Sequence, residues 1–177
     1  MNPEYPQLTF LNQGVAQVAM LVKDLDESVR QYSQLFGLGP WLFYTYQKPF
    51  VRRMSYHGQE AQHSFRVALG YFGPTRIELI EAKEGKSIYK DFIEQHGYGL
   101  HHLGFLVEDM AAALEQARAA GLEVIQDGEG FGLDGDGHYA YLDTEERLGV
   151  TIELIQRPQR RHPPESVYPQ ETSNKTQ

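Results

Sequence analysis

The stretch "RIELIEA" (Arg76–Ala82) contains Ile-Glu-Leu-Ile, and the same four letters return near the end of the chain in "TIELIQ" (Thr151–Gln156). β-Branched and apolar residues dominate both runs, so each run is typical of a β-strand. Each run also has a carboxylate in its middle, Glu78 in the first and Glu153 in the second. Burying an unpaired carboxylate is costly, so the repeated strand indicates that something compensates the charge at both places.

The chain is duplicated around these two strands. "QVAMLVKDLDESVRQYSQLFG", from Gln17, aligns with "HLGFLVEDMAAALEQARAAG", from His102. In each copy an apolar strand leads to an Asp that can cap a helix, and Gly37 or Gly121 ends that helix. Strands and glycine-rich turns follow. The pattern predicts an α+β fold of two paired βαβββ modules, with helices on the outside of a curved mixed sheet.

The modules are expected at about 14–82 and 100–157, joined by a helix at about 87–96, and together they make one domain, 14–157. Residues 158–177 contain many prolines and few apolar side chains, so we expect an extended or disordered tail that does not pack as an element.

Composition excludes several functional classes. A net charge of −8 argues against a general nucleic-acid binder, and the lack of cysteine excludes disulfides, thiolate metal sites and a cysteine nucleophile. The first residues lack the features of a signal peptide, and no apolar run approaches the roughly 20 residues of a membrane span. We therefore expect a cytoplasmic protein with a small-molecule substrate, and neither nucleic acid nor membrane as partner.

The two-residue period of a strand predicts which side chains share a face. Four polar side chains are expected on the face away from the helices, at equivalent positions of the two modules: Gln17, Glu78, His102 and Glu153. Three oxygens and one nitrogen suit a divalent metal ion. Taken singly, each carboxylate is more simply explained as a solvent-facing residue or as the ion-pair partner of an arginine such as Arg66 or Arg76. The matched positions favour the metal site.

These segments, with "GLHHLGF" (from Gly99) and "LGVTIELIQ" (from Leu148), resemble the vicinal oxygen chelate superfamily. That superfamily includes glyoxalase I, methylmalonyl-CoA epimerase, extradiol dioxygenases and bleomycin-resistance proteins. The resemblance covers Gly14 to Gln156. It implies a cleft whose floor holds one divalent ion (Zn, Ni, Co or Mn) on the four residues named above. "GLHHLGF" looks like the epimerase branch, whereas a Gln-Glu-His-Glu ligand set resembles some glyoxalase I enzymes.

The resemblance implies a metal-dependent lyase or isomerase that removes a proton α to a carbonyl or thioester and stabilises the enolate or enediolate. Glu153 and Glu78 are the expected catalytic bases. The expected substrate is a thioester, a hemithioacetal or an aromatic compound, and the expected assembly is a homodimer. Against a strict epimerase, Val67 stands near the place where that branch has a second acidic base.

Two other functions remain open. A metal-free binding protein of the bleomycin-resistance type would hold its ligand between aromatic side chains, for which the candidates are Trp41, Phe43, Tyr44, Tyr46, Phe50, Tyr56 and Tyr139. A ring-cleaving dioxygenase is less favoured, because its iron needs two histidines and Gln17 stands at one of those positions.

The connection Gly39–Arg53 either packs its aromatic side chains on the sheet or covers the cleft. In the second case Arg52 and Arg53 would lie near a phosphate or carboxylate of the substrate.

Overall fold

Strand pairing in the computed structural model, which describes residues 7–169, produces one mixed sheet of eleven strands. The strands are β1 (Gln17–Leu21), β2 (Trp41–Tyr46), β3 (Arg53–Tyr56), β4 (Gln59–Glu60), β5 (Phe65–Phe72), β6 (Thr75–Ala82), β7 (Gly99–Leu106), β8 (Val124–Phe131), β9 (Gly137–Leu142), β10 (Thr151–Gln156) and β11 (Ser166–Tyr168). The helices are α1 (Leu25–Phe36), α2 (Ile88–His96), α3 (Met110–Ala119) and α4 (Glu145–Leu148), with a 3₁₀ helix at Thr9–Gln13. No helix in this part of the chain is both long and apolar enough to cross a membrane.

The strand order is β11-β2-β5-β6-β1-β7-β10-β9-β8-β3-β4. One module supplies β1, α1, β2, β5 and β6, and the other supplies β7, α3, β8, β9 and β10. β1 and β7 meet antiparallel at the centre, while β6 runs parallel to β1 and β10 runs parallel to β7. The predicted α+β fold of paired βαβββ modules is confirmed.

The helices α1 and α3 begin at aspartate caps and cover the outer face of the sheet. Asp24 accepts a hydrogen bond from the Glu27 amide at 2.8 Å, and Asp109 accepts one from the Ala112 amide at 3.0 Å. Each cap satisfies a backbone N–H that the helix cannot pair itself. Buried side chains join the helices to the strands, Leu25 and Leu79 in one layer and Leu114 and Leu154 in the other. These two helices thereby cover the centre of each module on the outer face and leave the concave face free for a site.

Helix α2 packs on that concave face rather than on the outer one. Its residues Ile88 and Tyr89 are buried against Leu21 and Ile80, which lie near the C-terminal ends of β1 and β6. The Tyr89 hydroxyl is 2.7 Å from the hydroxyl of Tyr141. One end of the concave face is therefore filled, and the opposite end, where β1 and β6 begin, stays open.

The β3–β4 hairpin carries the connection after β2 to the far edge of the sheet. β3 pairs with β8 of the other module, where Arg53 forms ion pairs with Asp127 and Glu129. The Arg52 side chain packs against the glycines of the β8–β9 region. Neither arginine lines the cleft, so the interpretation of Arg52 and Arg53 as anion-binding residues is wrong.

The segment after Gln156 runs back along the cleft and adds β11 to the edge strand β2. The Glu165 carboxylate accepts hydrogen bonds from the backbone N–H and the hydroxyl of Thr45, at 2.8 and 3.0 Å. An edge strand presents unpaired backbone groups that an extended segment can pair with, whatever its side chains. The expectation that nothing here packs as an element is therefore wrong at Ser166–Tyr168, where the segment adds a strand, and residues 170–177 lie outside the described part.

Candidate metal centre

The concave face holds a cavity with an empty volume of about 640 Å³, including its open mouth. Gln17, Glu78 and Glu153 line its floor, and His102 lies beneath them, fully buried. The volume lies within the range of roughly 300–1,000 Å³ that is usual for small-molecule sites. The four predicted ligands thus share one face of four adjacent central strands.

Ala19 makes room for two of these side chains. In the register of the sheet it lies between Glu78 on β6 and His102 on β7. Residues directly opposite one another point to the same face, with Cβ atoms about 4.5–5.5 Å apart. A methyl group at position 19 therefore leaves space above it for the carboxylate and the imidazole to approach each other.

Gly104 does the same for the other two side chains. It lies between Gln17 on β1 and Glu153 on β10. A Cβ added there would lie 2.9 Å from the Gln17 Cβ and 3.1 Å from Glu153 Oε2. Gly104 and Ala19 hold equivalent positions, so the duplication repeats the small residue as well as the ligands. Gly104 follows His102 by two residues, so strand alternation predicts the same face, but nothing in the pattern marks it as a spacer.

The ligand atoms of Glu78, His102 and Glu153 lie within 4.8 Å of one another. His102 Nε2 is 3.1 Å from Glu153 Oε2 and 3.4 Å from Glu78 Oε2. Two ligands at about 2.1 Å from a shared ion are about 3.0–3.4 Å apart in octahedral or tetrahedral geometry. The buried Glu-His-Glu cluster therefore fits a divalent cation.

The Gln17 side chain has the opposite orientation from the one a metal needs. Its Nε2 donates to Glu78 Oε2 at 2.8 Å and to Glu153 Oε2 at 2.9 Å, so an amide N–H group lies where a cation would bind. Its Oε1 accepts a hydrogen bond from Arg76 Nε at 2.5 Å. An amide coordinates a metal through oxygen, so the amide must turn, and lose the Arg76 bond, before Gln17 becomes a fourth ligand.

Burial and mutual charge shift the protonation of the cluster. Burial lowers the pKa of His102, but the charges and hydrogen bonds of Glu153 and Glu78 outweigh it and raise that pKa to about 9. Burial also raises the pKa of Glu78. Without a metal, the neighbouring glutamates thus favour a protonated His102 imidazole. A cation at the same place would displace that proton, because a metal-bound histidine must be neutral.

A β-bulge turns a second histidine towards the site. The register between β1 and β7 shifts after Ala19, which opposes His102, because the next pair is Met20 and Leu100. The extra residue, His101, is buried, and its Nδ1 lies 2.9 Å from Nδ1 of His102. Burial lowers the pKa of His101 well below its usual range, so His101 is neutral and can accept the Nδ1 proton of His102. That bond leaves His102 Nε2 for the cation.

The predicted aromatic residues divide between the two faces. Tyr44, Tyr46, Phe50 and Tyr139 line the cavity, whereas Trp41 and Phe43 pack beneath α1 and Tyr56 lines a separate cavity beside α2. The cavity also contains cationic side chains that sequence reasoning did not assign: Arg76, Arg157 and Arg161. The even spacings from Arg76 to Glu78 and from Glu153 to Arg157 are a signal that could have found the first two.

Comparison with known proteins agrees with this architecture. Residues 16–142 match the model of the family described as "Glyoxalase/Bleomycin resistance protein/Dioxygenase superfamily". The chain belongs to this superfamily. The resemblance to the vicinal oxygen chelate proteins is confirmed. A curated relative, the uncharacterized protein YqjC of Bacillus subtilis (strain 168), is 28% identical over 108 residues, which are 60% of this chain and 76% of that protein.

Solved structures of methylmalonyl-CoA epimerases share the fold of this superfamily member. The enzyme from Mycobacterium tuberculosis has a TM-score of 0.60 at 21% identity, covering 82% of this chain and 88% of its own. A variant of the Streptomyces coelicolor enzyme, in complex with 2-nitronate-propionyl-CoA, has a TM-score of 0.59 at 20% identity, covering 85% of this chain and 98% of its own. Identity this low shows a common fold alone, so activity has to be argued from the site.

Proposed function

We propose that this protein is a metal-dependent isomerase or lyase of the glyoxalase or epimerase type, which transfers a proton α to a carbonyl or thioester. The observation that carries the proposal is the convergence of Glu78 and Glu153, from two different modules, on one point beside His102 at the floor of the cavity. A cation held there by Gln17, Glu78, His102 and Glu153 would supply Lewis acidity towards the substrate oxygens.

The side chains of the chain divide the remaining work. Glu153 is the proposed general base, and it takes the α-proton and returns it, while Glu78 stands on the other side of the same point. The aromatic walls keep water from the reacting carbon. Return of the proton to a neighbouring carbon gives an isomerase, and return to the same carbon from the other side gives an epimerase.

The strand β5 favours a mechanism that uses only these two carboxylates. The residue expected near a second epimerase base, Val67, is fully buried and opposes Ile80 of β6. The sequence of β5, "FRVALGYF", contains no acid. Any two-base epimerisation here therefore has to use Glu78 and Glu153 themselves.

Glu153→Gln is the central test of the proposed base. The measurement is exchange of the α-proton of hemithioacetals and acyl-CoA thioesters in D₂O, with metal content determined on the same samples. Glu153→Gln should keep much of the metal through its amide oxygen and lose at least about 10²-fold in exchange, the usual worth of a positioned base. Exchange at the wild-type rate in this variant contradicts the role of Glu153. The metal site is contradicted if all three variants retain the metal content of the wild type: Glu78→Ala, His102→Ala and Glu153→Gln.

A second candidate is a metal-free binding protein of the bleomycin-resistance type. It is favoured by the Gln17 amide, whose N–H group satisfies both carboxylates without a cation. Glu78→Ala separates the two candidates. It weakens metal binding in a metalloenzyme, whereas in a binding protein it removes a buried charge and leaves ligand affinity intact.

Two further expectations stay predictions. Light scattering would test the homodimer, and imaging of a tagged protein would test the cytoplasmic location.

A further inference from the structure

Three arginines lie at one end of the cavity. β6 runs parallel to β1, β1 is antiparallel to β7, and β7 is parallel to β10, so β6 and β10 run in opposite directions. Arg76 precedes Glu78 by two residues, and Arg157 follows Glu153 by four residues. Both displacements therefore point to the same end of the cleft. Arg161 joins them from the segment that runs back along the cleft.

Within the described residues, these three charges form no direct ion pair. No carboxylate within residues 7–169 forms an ion pair with Arg76, Arg157 or Arg161 at 4.0 Å or less, whereas Arg160 pairs with Asp134 and Arg53 pairs with two carboxylates. Arg76 is only 6% exposed, and within the described residues its guanidinium donates one hydrogen bond, to the neutral amide oxygen of Gln17. Burial, together with the charges of Arg76 and Arg161, lowers the pKa of Arg157. A cluster of like charges around a cavity is stabilised by a bound anion.

The other walls of the cavity are aromatic. Tyr44, Tyr46, Phe50 and Phe131 line it, and the Phe50 ring contacts the tilted ring of His162 with ring centroids 5.1 Å apart. At about 3.3 Å per residue, Arg76 lies about 7 Å along its strand from Glu78, and Arg157 about 13 Å from Glu153. A ligand that touches both the carboxylates and the arginines is thus short, with an apolar body and a charged end.

We infer that the substrate is a small organic acid, whose own carboxylate or phosphate is held by Arg76, Arg157 and Arg161 while its aromatic or bulky apolar body lies against the tyrosine and phenylalanine walls. This inference rests on the proposed function, because it places the reacting carbon at Glu78 and Glu153. A coenzyme A carrier fits less well, since its phosphates lie at the far end of a long pantetheine arm. The open end of the cleft, opposite α2, is the entrance for this acid.

Binding of matched probes tests the inference. Phenylacetate and phenyl phosphate each combine an aromatic ring with an anionic group. Phenylacetamide has the same shape as phenylacetate but no charge. Coenzyme A carries phosphates but is not a small aromatic acid. Affinities are measured by calorimetry at low salt on the wild type, on the double variant Arg157→Gln/Arg161→Gln and on Arg160→Gln. Arg160 is the control, because it lies on the same segment but pairs with Asp134.

The expected result is that phenylacetate or phenyl phosphate binds at least about tenfold more tightly than phenylacetamide, since hydrogen bonds to charged groups discriminate by this much. The difference should persist in Arg160→Gln and fall below about threefold in the double variant. The inference is overturned if phenylacetate, phenyl phosphate and phenylacetamide bind with equal affinity. It is also overturned if Arg160→Gln loses the preference for the anion as fully as the double variant does. Tighter binding of coenzyme A, lost in the double variant, overturns it too, because the arginines would then serve a carrier.

The same titrations on Glu153→Gln keep this inference separate from the proposed reaction. That variant lacks the proposed base but retains all three arginines, so it should prefer phenylacetate to phenylacetamide at least as strongly as the wild type does, because it also loses a negative charge of the same cavity. If the wild type catalyses no α-proton exchange while the anion preference stands, the proposed reaction fails and the anion site remains. If exchange occurs without any anion preference, the substrate class fails and the reaction remains.

Discussion

Arg76 Nε donates a hydrogen bond to Gln17 Oε1 at 2.5 Å, and this bond directs the Gln17 amide nitrogen towards Glu78 and Glu153. A guanidinium can only donate hydrogen bonds. It therefore cannot bond to the Gln17 side chain when the amide turns and its NH₂ group faces Arg76. The Arg76–Gln17 pair therefore stabilises the cluster without metal and opposes coordination by the Gln17 oxygen. It links the cationic end of the cavity to the candidate metal centre.

The first prediction concerns Arg76→Met. Loss of the donor frees the Gln17 amide to turn, and loss of the positive charge removes repulsion of a cation. A hydrogen bond to a charged group contributes about 1.5–3 kcal/mol, so Zn²⁺ or Mn²⁺ should bind at least about tenfold more tightly. Competition with a chelator measures this. Arg66→Met is the control, since Arg66 pairs with Asp26 and Glu81. Unchanged or weaker binding in Arg76→Met would show that Gln17 does not turn to coordinate.

The second prediction concerns Gly104→Ala. The added methyl group would lie 2.8 Å from Ile155 Cδ1, close to the Gln17 Cβ and the Glu153 carboxylate, and it would push the two ligands apart. We expect metal affinity to fall at least about tenfold and stability to fall by about 1–3 kcal/mol.

Gly70→Ala is the matched control for Gly104→Ala. Its methyl group would meet the Trp41 ring at 3.0 Å, on the outer face of the sheet. It should therefore lower the melting temperature and leave metal affinity unchanged. Equal metal affinities of Gly104→Ala and the wild type would contradict the spacer role of Gly104.

The third prediction compares the two adjacent histidines. His102→Ala should abolish metal binding, and with it the stabilisation that metal gives the wild type, about 2.7 kcal/mol at a metal concentration a hundredfold above Kd, which is detected as a rise in melting temperature. His101→Phe keeps a ring against Tyr89 and Phe92 but removes the acceptor for His102 Nδ1. It should weaken metal binding by about 10–100-fold, as loss of a ligand's outer partner usually does. If His101→Phe binds metal as the wild type does, His101 does not orient His102.

Strand alternation and duplication were enough to predict the fold and to place the four polar residues on one face. Alternation is a local pattern, and duplication repeats the same letters along the chain, so a single sequence shows both. The bulge at His101 was not predictable, because it depends on the register of β7 against β1. The contributions of Arg161 and His162 to the cavity were not predictable either, because backbone pairing of β11 brings that segment back along the cleft. Long-range pairing through backbone groups leaves little trace in side-chain patterns.

The last prediction is a pH dependence that arises away from the cluster. His63 is 4% exposed, both of its ring nitrogens are buried without a hydrogen-bond partner in the described structure, and its ring stacks on Phe65. Burial lowers the pKa of His63 from 6.5 to about 4. The unfolded chain therefore binds a proton as pH falls below about 6.5, while the folded protein binds it only near pH 4. The stability that neutral His63 contributes is complete above pH 6.5 and is lost as pH falls towards 4.

His63→Phe keeps the ring and removes the titration, so its free energy of unfolding should fall less than that of the wild type between pH 7 and pH 4. A shift of this size corresponds to a difference of about 1–3 kcal/mol between the two pH profiles. Urea unfolding of chelator-treated protein at a series of pH values measures both. The comparison also cancels the opposite contribution of Glu78, whose raised pKa stabilises the folded protein as the solution becomes more acidic. Parallel profiles for the wild type and His63→Phe would mean that His63 is protonated, or exposed to water, in the folded protein.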